Sequence, residues 1–437
     1  MKFIFENIGI IEKAVINIDG LTIIAGENDS GKSTVGKAIF SIIKAVNRYK
    51  EDFKDDKDEK IARIVDNIYF TLRKNVSFHE NIELREAFYP PKFLEEISKN
   101  NISAIIRRKE YLERYLSKHN FLEVQQLDKV YHNIMKRLDS LEMIFEEKTT
   151  KNELIKIALK KAIFSEFRNE ITPSGKISKV IISEFNNCIL DCSFNNSNII
   201  DFNIYDELYH LDATIIETPM ILHMNELIEN SKTYFDINDI SDKIVNLGIP
   251  NTTLHIKDLV NKLKDSVYED EFLTEIKYDN LEQIITEAIN GDVKYNKKNK
   301  EFEFIRDGQA FKSLNVASGI KSFGIIQLLL KSGLLNERSL LILDEPEVHL
   351  HPKWQLIYAK VITILASYGI NSLITTHSPY LVEAFEKYAS IYNVSSDFYF
   401  AENKEIIEDK NSLEKIYNKL AEPFNIFEEI DLKKFNL

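Results

Sequence analysis

The residues best equipped for chemistry lie at 26–34, where Gly26-Glu27-Asn28-Asp29-Ser30-Gly31-Lys32-Ser33-Thr34 reads G-x-x-x-x-G-K-S. The apolar stretch Leu21-Thr22-Ile23-Ile24-Ala25 precedes it. The run Val35 to Ala45 follows, with no Pro and no Gly beyond its opening turn. A strand, a glycine loop and a helix in that order form a phosphate cradle. The glycines let the backbone curl so that successive N–H groups point inward, and the helix N-terminus adds partial positive charge. Lys32 is expected to reach the β- and γ-phosphates, and the Ser33 hydroxyl to complete a Mg²⁺ shell. Gly26, Asn28, Ser30, Gly31, Lys32, Ser33 and Thr34 are the predicted contacts to a nucleoside triphosphate.

Three further runs carry groups suited to the same chemistry. Ser339-Leu340-Leu341-Ile342-Leu343-Asp344-Glu345-Pro346 is an apolar strand that delivers two carboxylates to a sheet edge. Asp344 would hold Mg²⁺ through its water shell, and Glu345 would polarise the water that attacks the γ-phosphate. Leu373-Ile374-Thr375-Thr376-His377-Ser378 is again a strand ending in polar groups, and His377 could donate to the γ-phosphate or to that water. Val316-Ala317-Ser318-Gly319-Ile320-Lys321-Ser322 opens the apolar helix Phe323 to Leu330, which puts Ser318 and Gly319 where backbone N–H groups can take a phosphate.

The elements that must position these groups follow from periodicity and punctuation. Residues 1–45 read as strands leading into the glycine loop and its helix, with a charged break from Lys50 to Lys60. A helical insertion fills 46–172. In it Val124, Leu127, Tyr131, Ile134, Leu138, Leu141 and Phe145 keep heptad spacing. That stripe suits a helical hairpin with Leu154 to Phe167 as its return helix, or an amphipathic helix packed on its own domain. Over 173–221 come strands at Val180–Ile182, Cys188–Phe194, Ile199–Ile204 and Ala213–Ile216, the last stopped by Pro219. A second helical segment covers 222–290. The stretch 291–409 opens on a β-hairpin, Lys294 to Lys312, and carries the remaining motifs, and 410–437 is a C-terminal tail.

Bulk properties narrow the class. The 437 residues are 44% hydrophobic and 29% charged, ordinary for a globular chain. The net charge of −13, from 69 acidic and 56 basic residues, disfavours a wholly basic nucleic-acid coat. Arg107-Arg108-Lys109 and Lys297-Lys298 are the compact basic clusters; each is read as solvated surface or as a local nucleic-acid contact. Cys188 and Cys192 lack zinc spacing and read as buried thiols of a reducing compartment. The longest apolar run, Phe323 to Leu330, is too short to span a bilayer, and the N-terminus has no signal-peptide layout, so a cytoplasmic location is expected.

In this order the motifs resemble those of the ABC-type ATPase heads, which include SMC proteins, RecF-like proteins and the OLD-family ATPases. Residues 1–45 and 291–409 carry the resemblance. The wording Asp344-Glu345-Pro346-Glu347-Val348-His349-Leu350-His351-Pro352, with Thr376-His377-Ser378-Pro379-Tyr380, looks most like the OLD-like branch. That branch includes ATPases of bacterial anti-phage systems, such as the Septu and retron-associated ATPases. The resemblance implies an α/β head, a P-loop mixed sheet with an antiparallel β subdomain, carrying a large helical insertion. It implies ATP and Mg²⁺ as ligands, and a head-to-tail homodimer, or a higher multiple, that clamps each ATP between one P-loop and the partner's signature. Ser318, Gly319 and Lys321 would form that signature, although Ala317 and Ile320 depart from Leu-Ser-Gly-Gly-Gln. Leu350 and His351 would form the D-loop, the alternative being a His349–His351 metal pair. Glu217 would stand in for the Q-loop glutamine.

The long separation of Lys32 from Ser318 disfavours a transporter subunit. Too little chain follows His377 for the TOPRIM nuclease domain of OLD nucleases, so any cutting is expected from another polypeptide. Two functions follow from the resemblance. One is the ATPase sensor of a defence system that controls a separate effector, a nuclease or toxin from the same operon. The other is a RecF- or SMC-like DNA-binding clamp of repair.

Overall fold

The computed structural model describes residues 1–75, 81–117, 124–146, 149–233, 251–265, 279–407, 412–419, 422 and 426. The parts of the expected helical segment at 234–250 and 266–278, and most of the tail, lie outside the described residues.

The chain opens with β1 (Lys2–Ile8), β2 (Ile11–Asn17) and β3 (Leu21–Gly26), then α1 (Lys32–Asn75), α2 (Ile82–Ala87), α3 (Pro90–Ser117), α4 (Val124–Glu146) and α5 (Lys151–Phe167). Next come β4 (Ser178–Glu184), β5 (Asn187–Asn195), β6 (Asn198–Ile204), β7 (Asp212–Ile216) and α6 (Ile221–Glu229). The short pair β8 (Lys232–Thr233) and β9 (Asn251–Thr252) is followed by α7 (Leu254–Asp265) and α8 (Asp279–Ile289). The remainder is β10 (Asp292–Asn296), β11 (Glu301–Arg306), β12 (Gln309–Lys312), α9 (Ser318–Lys331), β13 (Ser339–Asp344), α10 (Pro352–Ser367), β14 (Asn371–Thr376), α11 (Pro379–Tyr392), β15 (Ser396–Glu402) and β16 (Glu405–Ile407). Two compact units result: Met1–Arg48 with Ile155–Leu437, and Tyr49–Leu154.

An eleven-stranded mixed sheet organises the first unit, in the order β6-β5-β4-β1-β2-β16-β15-β3-β14-β13-β7. Strands β15, β3, β14, β13 and β7 run parallel. Every residue of β3 is buried, as expected for a parallel strand covered on both faces. Strands β1, β2, β4, β5 and β6 form an antiparallel wing, in which β4 alternates buried and half-buried residues. Because β3, β13, β14 and β7 are parallel, Gly26, Asp344, Thr376 and Ile216 all arrive at one sheet edge, the edge where α/β sheets build their sites. Helices α9, α10 and α11 cover this region, and Phe323 meets Trp354 and Tyr358 edge-on. Burial of the Phe323 ring contributes roughly 1.5–3 kcal/mol.

Five expectations need correction. Lys50 to Lys60 is no break: α1 runs unbroken from Lys32 to Asn75. The charges lie on a helix without internal Pro, and Ile61, Val65, Ile68 and Leu72 keep a buried stripe at helical spacing. Leu154 to Phe167 is not the return helix of α4. Helix α4 packs on α3, and Ile134, Leu138 and Leu141 close a core with Ile105 and Leu112. Helix α5 starts afresh at a capping box, in which Thr150 N–H donates to Glu153 Oε2 at 2.8 Å, and from Ile155 on it belongs to the first unit. The Lys294–Lys312 hairpin is a three-stranded meander, because Asp307 and Gly308, both at positive φ, add a second turn. Cys192 is buried, its thiol pushed up to about 12 chiefly by burial, but Cys188 at the start of β5 is exposed. Of the basic cluster, Arg108 is buried, stacked on Phe93 and bonded to Glu96, and Lys109 pairs with Asp139 and Glu142. These cations pair within the helical unit.

Candidate active site

The loop between β3 and α1 has no room for side chains at its glycines. A Cβ on Gly26 would come within 2.8 Å of the Ala401 carbonyl oxygen and 3.2 Å of Ser30 Oγ. Gly31 has φ +84°, and a Cβ there would lie 2.6 Å from Ile11 Cγ1. Asp29 also takes a positive φ of 59°, which leaves the loop as a tight curl around the start of α1. Lys32 is buried within that curl. Its ammonium donates to Gly26 O at 3.1 Å, Glu27 O at 2.7 Å and Ser30 Oγ at 3.1 Å. Burial lowers its pKa, and Glu345, Asp344 and Glu347 work against that. A cation already held among backbone oxygens and facing three carboxylates suits a phosphate chain.

The carboxylates are set by the parallel register of β13 and β14. Asp344 lies opposite Thr375, and Thr375 Oγ1 donates to Asp344 Oδ1 at 2.5 Å. The next residue, Glu345, turns into the left-handed region (φ 46°), and its N–H donates to Thr375 O at 3.1 Å. A non-glycine residue in that region costs of order 1–3 kcal/mol, a strain found where a side chain must be aimed. Here the aim is at His377, whose Nε2 lies 2.7 Å from Glu345 Oε1. His377 is fixed in turn by Glu347, whose Oε1 accepts from His377 N–H at 2.5 Å and from Thr376 Oγ1 at 2.7 Å. Burial raises the Glu347 pKa, and those bonds oppose the rise. Glu347, Thr375 and Thr376 were not singled out by sequence reasoning. Their one signal was the proximity of Glu347 to the paired carboxylates and of the threonines to His377.

The other expected residues lie on α9, at the start of α10 and just past β7. Ser318 opens α9, and its carbonyl accepts from Ser322 Oγ at 3.2 Å. Gly319 lies under the indole of Trp354, where a Cβ would approach ring carbons to 2.9 Å. Lys321 is buried against α6, its Nζ 3.2 Å from His223 Nδ1, and burial lowers its pKa. His351 caps α10, accepting from Lys353 N–H at 3.3 Å, and is exposed. Glu217 lies just past the end of β7 and joins a separate network. It accepts from Lys37 Nζ at 3.2 Å and lies 2.8 Å from His255 Nε2. The other ring nitrogen of His255 lies 2.6 Å from Glu166 Oε2. The His255 bond comes first in pulling the Glu217 pKa down to about 2. Among the described residues no group of three or more His, Cys, Asp or Glu is placed to hold a metal ion. A hard cation here would be held by Ser33, Asp344, water and its nucleotide, the sparse protein shell that Mg²⁺ accepts.

A mixed sheet with a glycine loop at the end of β3 and, two strands away, the acids at the end of β13 is a P-loop nucleotide-binding arrangement. Residues 21–383 match the family described as "AAA domain, putative AbiEii toxin, Type IV TA system", and the chain belongs to that family. No curated relative matches the chain. Among solved structures it is similar to the SMC head domain from Thermotoga maritima, at 10% identity and a TM-score of 0.37 over 94% of this chain and 98% of that one. An SMC head bound to the C-terminal winged-helix domain of ScpA gives 11%, 0.38, 95% and 98%. An SMC head with an extended coiled coil, bound to the C-terminal domain of ScpA derived from Pyrococcus furiosus, gives 10%, 0.32, 98% and 98%. Among the described residues no helix is long and apolar enough to cross a membrane.

Proposed function

We propose that this chain is a Mg²⁺-dependent ATPase that works as a nucleotide-gated dimeric switch over a separate effector, a nuclease or toxin. The observation that carries the reading is the convergence at one sheet edge of Lys32 in its glycine loop with Asp344, Glu345 and His377. The loop N–H groups and Lys32 would hold the phosphate chain, and Ser33 and Asp344 would hold the magnesium. The metal supplies charge neutralisation across the phosphate oxygens when bound. Glu345 takes a proton from the attacking water as the water oxygen bonds to the terminal phosphorus and the bond to the leaving ADP oxygen breaks. His377, held by Glu347, orients Glu345 and donates to that water or phosphate. Asp344 keeps its direction through Thr375.

The resemblance to ABC-type heads supports completion of the site by Ser318 and Gly319 of a second copy arranged head to tail. Closure on ATP is then a population shift driven by contacts made only in the closed dimer. The family's description as a putative toxin of a Type IV toxin–antitoxin system supports a place in such a system or in defence, and the resemblance of the motifs to anti-phage ATPases supports a separate effector as the controlled partner. The test is purification of the tagged chain from its own operon with ATP, followed by mass determination of the complex. A stoichiometric nuclease or toxin is expected. A bare homodimer retaining DNA would move the reading to a repair clamp.

A further inference from the structure

One wall of the P-loop cleft comes from a segment that no nucleotide motif includes. The cleft, of about 420 Å³, is lined by Gly26, Glu27, Asn28, His377, Phe400 and Lys419. Lys419 belongs to the helical stretch 412–419, which is anchored in the core of the same unit. Ile416 is fully buried, Ser412 is nearly so, and Leu413 and Tyr417 pack on the apolar cluster that contains Phe385 and Phe400. Tyr417 Oη donates to Glu386 Oε2 at 2.7 Å and ties the stretch to α11. The position of Lys419 is therefore set by buried neighbours.

Its ammonium lies 3.0 Å from Glu27 Oε1 and 3.0 Å from Glu422 Oε2. Glu27 belongs to the phosphate loop itself, and His377 faces the same cleft. An ammonium has three donors, and these carboxylates take two, so a phosphate oxygen can be added without breaking either bond. Without Lys419 the Glu27 carboxylate would meet an incoming phosphate chain unneutralised.

We infer that Lys419 is a further phosphate-recognition residue, a cation supplied in cis by the C-terminal helix, which contacts the terminal phosphate and so separates triphosphate from diphosphate. This rests on the ATP-binding reading of the same site. Lys32 lies in the loop that would hold any phosphate chain, whereas Lys419 shares its cleft with His377, the group expected at the terminal phosphate. Removing Lys419 should therefore weaken ATP and leave ADP nearly untouched.

The test is equilibrium dialysis of labelled ATP and ADP, with magnesium, on the full chain and its Lys419→Ala and Lys419→Arg variants. Lys419→Ala should weaken ATP roughly tenfold, the scale of one charge-assisted hydrogen bond at a half-exposed site, and change ADP by less than about twofold. Lys419→Arg should recover most of the ATP affinity. Unchanged or tightened ATP binding by Lys419→Ala overturns the inference, as does an equal loss for both nucleotides. A wild-type chain that binds neither nucleotide overturns the ATP-binding reading itself, and this inference with it.

Discussion

His255 offers the largest single-residue effect predicted away from the phosphate loop. Its side chain is 2% exposed and that of Glu166 is fully buried. Both ring nitrogens face carboxylate oxygens, Glu166 at 2.6 Å and Glu217 at 2.8 Å, so both bonds form only when the ring carries two protons. Glu166 Oε1 also accepts from His255 N–H at 2.9 Å. His255→Ala removes the cation and strands Glu166 in the interior, while Glu217 keeps Lys37 and partial exposure. Leaving one charge of a buried pair uncompensated costs about 3–5 kcal/mol. Chemical denaturation of both proteins at pH 6 should show this as a lower midpoint at an unchanged slope. Adding Glu166→Gln to His255→Ala should restore part of the loss, because the stranded charge is then gone.

The pH dependence of that contribution has a definite sign. Burial acts to lower the His255 pKa, but the bonds to Glu166 and Glu217 outweigh it and raise it above its ordinary value. The stabilisation is then complete below the unfolded value of about 6.5 and fades as pH rises through the higher folded value. Glu217, held down to about 2, contributes above its ordinary range and loses that contribution as pH falls toward 2. A His255→Ala protein within 1 kcal/mol of wild type at pH 6 would refute the charged-network argument.

Gly31→Ala should reduce nucleotide affinity at least tenfold in a dialysis assay, since φ +84° and the 2.6 Å approach to Ile11 each resist a methyl group. Thr375→Val removes the hydroxyl bonded to Asp344 and should lower phosphate release severalfold while leaving ATP binding within about threefold. In a thiol-labelling time course of the folded protein at pH 8, Cys188 should react fully, whereas Cys192, buried and pushed up to about 12, should stay protected until denaturant is added.

What could be read from sequence was chemistry packed into short contiguous runs. Gly26 to Thr34, Asp344-Glu345 and His377 each announce themselves by residue type beside an apolar strand, and the parallel sheet brings them to one edge. What could not be read depends on register or on distant segments. That Thr375 steadies Asp344 needs the alignment of β13 with β14. Glu166, His255 and Lys37 come from three separate helices with no local signal, and Glu217, just past β7, was read for another role. The length of α1 was hidden because a run of Lys, Asp and Glu looks like a linker, although it is also a good solvent face for a helix. Of the two readings of the α4 stripe, packing on its own domain holds, with α3 as partner; heptad spacing says that a helix has an apolar stripe and not which helix covers it.

ATP hydrolysis is assigned to Glu345 above the Lys32 loop. The most direct test measures ATP binding and phosphate release together, on wild type, Glu345→Gln and Lys32→Ala, at saturating magnesium. Glu345→Gln is expected to bind ATP as wild type does and to release phosphate at least a hundredfold more slowly, and Lys32→Ala to bind none. Wild-type turnover by Glu345→Gln would contradict that assignment.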